Sequence, residues 1–83
     1  MQEVGMNLES NRLKLTPKQM EILISLADGD TIAEVAKSMG ITRRTVDAHL
    51  FQMRERLKAK TTTHLVALAF HEGILLTRRG NGR

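Results

Sequence analysis

Cysteine is absent from this 83-residue chain. That excludes a disulfide scaffold, a thiolate metal site and a cysteine nucleophile, and it fits a reducing compartment. Tyrosine and tryptophan are absent too, and only two aromatics occur, Phe51 and Phe70. The longest apolar run, Leu65 to Phe70, is six residues, far short of the roughly 20 that a membrane-spanning helix needs. The N-terminal stretch MQEVGMNLESNR has no apolar core of signal-peptide type. There is no β-type alternation and no internal repeat. The length allows one domain with a thin core, because chains of this size bury only roughly 60–65% of their unfolded surface.

Charge is present, and it is unevenly placed. The formal net charge is +4. Residues 1–42 hold four bases against six acids, whereas residues 43–83 hold nine bases against three acids. A basic half on a small domain without cysteine points to a polyanion, most often nucleic acid. The alternative is a basic surface that only keeps the protein soluble.

Capping signals divide the chain. Residues 1–13 read as a flexible N-terminal arm. Thr16 is a good N-cap, Pro17 suits the first helical position, and Gln19 completes a capping-box spacing. The helix they open carries Ile22, Leu23 and Leu26 inward, with Gly29 at its end. A second box, Thr31 to Glu34, starts a short helix that turns Val35, Ala36 and Met39 to the core and stops at Gly40. Thr42 caps the next helix, from Arg43 to about Lys58. Its apolar residues Val46, Leu50, Met53 and Leu57 fall within about 60° of one another around the axis. Thr61 or Thr62 caps a fourth helix, ending near Glu72 before Gly73. Leu65 to Phe70 make that helix apolar on every side, so part of it is expected to pack on a second copy. Ile74, Leu75 and Leu76 close over the core, and 77–83 form a basic tail.

Residues 32–50 combine into one motif. Ala36 is small where a second helix crosses, Gly40 sits in the turn, and Ile41 and Val46 plug the angle between the helices. This is helix-turn-helix spacing, and it places the helix that begins at Arg43 in a major groove. Arg43 and Arg44 occupy its first turn. Arginine is the side chain best matched to guanine O6/N7 and to phosphate. Thr42, Thr45 and the first-turn N–H groups suit phosphate. Arg54, Arg56, Lys58 and Lys60 continue the basic surface. Lys14 and Lys18 are candidate backbone contacts, and Arg78, Arg79 and Arg83 add salt-sensitive affinity.

Leu15-Thr16-Pro17 with Glu21-Ile22-Leu23, the 32–36 segment, Thr45-Val46 with His49-Leu50, Leu57, and Val66 to Ala69 through Gly73-Ile74 together resemble the LuxR/NarL-type (GerE-like) helix-turn-helix domain. The resemblance covers residues 14–76. It implies an all-α fold, a four-helix bundle with a helix-turn-helix, winged-helix-like but without a sheet. It also implies a regulator of transcription that binds double-stranded DNA through its third helix, about 43–58. The fourth helix, 62–72, would make a homodimer contact, assigned to Leu65, Leu68, Ala69 and Glu72. With 13 residues ahead of the match, the chain resembles the rarer stand-alone members. Base-contacting positions of the family map onto Asp47, Ala48 and Phe51. The full set of expected DNA-binding residues is Thr42, Arg43, Arg44, Thr45, Asp47, Ala48, Phe51, Arg54 and Lys58. Family members usually carry Lys at the place of Asp47, an acid at Gln19 and Arg at Thr62. Asp47 cannot neutralise a phosphate but can accept from a cytosine amino group.

Other chemistry is not supported. His49, His64 and His71 match no metal-ligand spacing, and His49 is read as structural. No phosphate loop, nucleophile–base pair or paired carboxylates occur. The expectation is a cytoplasmic, nucleoid-associated protein of prokaryotic type that is not an enzyme. No cofactor, metal or small-molecule ligand and no membrane are expected. The main rival is an adaptor on the same fold that grips a protein of the transcription machinery, or another regulator, through Ala48 and Phe51. A sigma-factor-like region and a DNA-bending accessory factor share the motif as well.

Overall fold

The computed structural model describes residues 2–6 and 15–79. The order of elements is β1 (Gln2–Met6), α1 (Pro17–Ala27), α2 (Ile32–Met39), α3 (Arg43–Leu57), α4 (Thr62–His71) and β2 (Leu75–Arg79). Each helix is opened by a threonine. The Thr16 hydroxyl accepts from the Gln19 N–H at 3.1 Å, and Gln19 Oε1 accepts from the Thr16 N–H at 3.1 Å. Thr31 and Glu34 make the same reciprocal pair, at 3.1 and 2.8 Å. Thr42 accepts from Thr45 N–H, and Thr61, rather than Thr62, accepts from His64 N–H. These bonds satisfy N–H groups that the first turn of a helix leaves without partners.

The turn between α2 and α3 is closed by Gly40, at φ 68° and ψ 31°. Its N–H reaches the Lys37 carbonyl, and the Ile41 N–H reaches the Ala36 carbonyl at 3.0 Å. This paired closure needs a left-handed residue, which costs a glycine least. Two residues later Thr42 restarts the chain as α3, so the two helices are held at a fixed angle.

α1 packs against each of the other helices and against β1. Ile22 and Leu23 from α1, Val35 from α2, Val46 and Met53 from α3, Leu65 and Ala69 from α4, and Ile74 are wholly buried. Val35, Ala36, Val46, Leu50 and Met53 occupy the core as their spacing predicts, while Leu26, Met39 and Leu57 are half-buried at its margin.

The bundle has a sheet, which corrects the sheetless expectation. β1 pairs antiparallel with β2, from Gln2 opposite Arg79 to Met6 opposite Leu75. Residues 2–6, expected to be an arm, and 77–79, expected to be tail, are therefore strand. Five-residue strands carry too little alternation to be read locally, and their pairing joins opposite ends of the chain. Leu75 faces the core at 1% exposure while Leu76 is 44% exposed, and Val4 packs against the core from β1. The remainder of the expected arm and tail, with Lys14 and Arg83, lies outside the described residues.

Candidate nucleic-acid interface

α3 is anchored along one side by Val46, Leu50 and Met53. At 100° per residue, Arg44, Ala48, Phe51 and Glu55 lie more than about 120° from that stripe. All four are exposed, Phe51 by 56%. Asp47 flanks this face on one side, with Arg43 farther round toward the apolar stripe, Thr45 and Gln52 flank it on the other, and all are exposed. Neither Arg43 nor Arg44 has a hydrogen-bond or ion-pair partner among the described residues. Two consecutive arginines, their side chains directed about 100° apart, therefore stand at the open start of a helix, where backbone N–H groups also favour an anion. The Thr42 and Thr45 hydroxyls lie 3.0 Å apart and share one hydrogen bond, which leaves one hydroxyl hydrogen of the pair for an outside acceptor.

Two braces hold α3 against the rest of the molecule. Arg54 is half-buried, and its Nη1 donates to the Thr62 hydroxyl at 3.3 Å, tying α3 to the start of α4. Part of its donor fork is thus spent within the fold. On the opposite flank, the Gln19 Nε2 donates to Gln52 Oε1 at 3.1 Å. Gln19 is only 3% exposed, and its own Oε1 is taken by the Thr16 N–H. Gln52 is held with its carbonyl turned toward α1, which directs its amide donors outward. The sequence reading missed this link. Its one visible signal was spacing, because Gln19 stands three and four residues before Ile22 and Leu23, on their face of the helix.

Lys58 is exposed and ends α3 at φ 57°, a left-handed conformation unusual for a side chain of its type. Lys18, Lys60 and Arg56 lie on the surface, and of Arg78 and Arg79 only the backbone is described. His64 Nδ1 accepts from the Lys60 N–H at 3.0 Å, which ties the first turn of α4 to the loop before it. His49 is half-buried, with Nδ1 buried and without a partner among the described residues. Among the described residues no cluster of three or more metal-ligating side chains forms.

The residues assigned to a dimer contact separate. Leu65 and Ala69 are wholly buried in the core of one chain, so a second copy does not reach them. Leu68 is half-buried and Glu72 exposed. α4 is apolar all round, but one side already faces α1 and α3. Its outward apolar surface is Ala67, with half-buried Val66 and Phe70 beside it. Ala67 and Val66 also line a shallow groove of about 430 Å³ together with Leu26, Thr62 and Thr63.

Capped helices joined by a tight glycine turn, the second of them pinned by its apolar stripe and headed by free arginines, define a helix-turn-helix domain. The profile of the luxR family of bacterial regulatory proteins, GerE, matches residues 13–69, and the chain belongs to this family. It is 31% identical over 72 residues to the transcriptional regulatory protein MctR of Rhizobium johnstonii, covering 87% of this chain and 34% of that one. It is 39% identical over 64 residues to RpaR of Rhodopseudomonas palustris, an HTH-type quorum sensing-dependent transcriptional regulator, covering 77% of this chain and 26% of that one. YdfI of Bacillus subtilis, a transcriptional regulatory protein, is 31% identical over 70 residues, or 84% and 33% of the two chains. The chain thus spans about a third or less of the length of these relatives. No solved structure matches it.

Proposed function

We propose that this chain binds double-stranded DNA sequence-specifically, with α3 in the major groove, and regulates transcription. The observation that carries the reading is the pair of partnerless arginines at the start of a helix whose outer face is free. Membership of a family of bacterial regulators supports it. Arg44, near the centre of the outer face, reads a base edge. Arg43, Thr42, Thr45 and Lys58 contact phosphates on either side. Two copies meet through the outer side of α4, around Ala67, and read two half-sites. The protein works in the bacterial cytoplasm, on the nucleoid. No helix among the described residues is long and apolar enough to cross a membrane.

Selection from a random pool of duplexes at two salt concentrations tests the proposal, since specific and nonspecific binding differ in salt dependence and sequence preference. Failure to retain any duplex at low salt sinks it. Arg44→Ala is expected to lose about 1–3 kcal/mol and to relax the preference at one position. An equal loss across all sequences would instead make Arg44 a phosphate contact.

A further inference from the structure

Phe51 stands 56% exposed on the outer face of α3, whereas Phe70, the other aromatic, is half-buried against the core. Ala48 is exposed one turn before it. Residues three apart on a helix are neighbours, about 5–6 Å between Cβ atoms, so the two side chains form one small apolar patch. Arg44 precedes this patch and Glu55 follows it on the same face, with Asp47 alongside. Phosphate oxygens offer a phenyl ring nothing, and they repel the carboxylates of Asp47 and Glu55. The middle of the face therefore suits base edges rather than backbone. On those edges the apolar group is the C5-methyl of thymine.

We infer that Ala48 and Phe51 form a reader of thymine methyl groups, so that the preferred DNA half-site carries thymine beneath the centre of α3. The inference rests on the DNA-binding reading above. The two residues are about 4.5 Å apart along the helix axis, close enough for both to reach methyl groups within one short stretch of the groove. Arg44 sets the position at one end by hydrogen bonding. The apolar pair then discriminates by excluding water from a methyl group, and it disfavours cytosine, which lacks one.

The test takes the best duplex selected from the random pool by the full chain. Each thymine is replaced in turn by deoxyuridine, which removes the methyl and nothing else. Wild-type protein is expected to lose affinity about three- to tenfold at one or two positions and to be unaffected elsewhere. Phe51→Ala is expected to bind the thymine duplex more weakly and to show no further loss with deoxyuridine at one of those positions. Phe51→Leu, which keeps an apolar contact, retains the methyl dependence. Phe51 is exposed, so both variants keep the fold, which their helical circular dichroism checks. If no duplex is selected, the DNA-binding reading fails and this inference with it. If duplexes are selected but every deoxyuridine is neutral, or Phe51→Ala keeps the full methyl dependence, the inference alone is overturned.

Discussion

Gln19 has both ends of its amide engaged while almost fully buried, by Thr16 within its own helix and by Gln52 across to α3. Removing it takes a partner from the Thr16 N–H and from the Gln52 carbonyl, and it empties the space that a nearly buried side chain fills. Gln19→Ala is expected to destabilise the domain by about 1–3 kcal/mol, measured by urea denaturation. Gln19→Glu is expected to lose less, because a carboxylate still accepts from Thr16 and the Gln52 amide can flip to donate. Equal losses in the two variants would refute this account. Asp47 poses the opposite case: it is exposed and tied to nothing among the described residues. Asp47→Lys is expected to leave stability within about 0.5 kcal/mol. It should tighten DNA binding at low salt across all sequences and steepen the salt dependence by about one counterion.

At the scale of elements, all four helices close in the same way. Gly29, Gly40, Lys58 and Gly73 each take positive φ just beyond a helix end. Three are glycines, and Lys58 is the exception, at the end of the helix proposed to enter DNA. A left-handed conformation costs an L-residue roughly 1–2 kcal/mol, part of which glycine returns as unfolded-chain entropy. Lys58→Gly is expected to raise stability by about 0.5–1 kcal/mol. If Lys58 touches a phosphate, the same change weakens DNA binding and shallows its salt slope by about one. The helix starts were legible because a cap and its partner sit three residues apart in the chain. Thr16 and Thr31 were identified on that basis, and Thr42 as the threonine just before the next apolar period. At Thr61 and Thr62 the signal repeats, and only the bond from His64 N–H selects Thr61.

For the whole molecule, the net charge of +4 averages a scaffold half that is slightly acidic with a half, beginning at α3, that is strongly basic. The scaffold half includes β1, whose Val4 packs against the core. Val4→Asp is expected to cost about 1–2 kcal/mol by placing a charge there. An unchanged melting temperature would show that the strand contributes nothing in solution. Ala67 lies at the centre of the exposed side of α4. If two copies meet there, Ala67→Glu should convert a dimer to a monomer in sedimentation without altering the stability of the monomer. Persistence of the dimer would move the contact elsewhere. The sequence by itself determined the four helices, the caps of the first three, the turn at Gly40 and the outward face with Arg44, Ala48 and Phe51. All of these are set by interactions over three or four residues, which spacing records. Only the tertiary structure decided the Gln19–Gln52 link across 33 residues, the removal of Leu65 and Ala69 from any second copy, and the pairing of the two ends of the chain as a sheet. Those depend on which surfaces meet once the helices have packed, and local periodicity carries no trace of that choice.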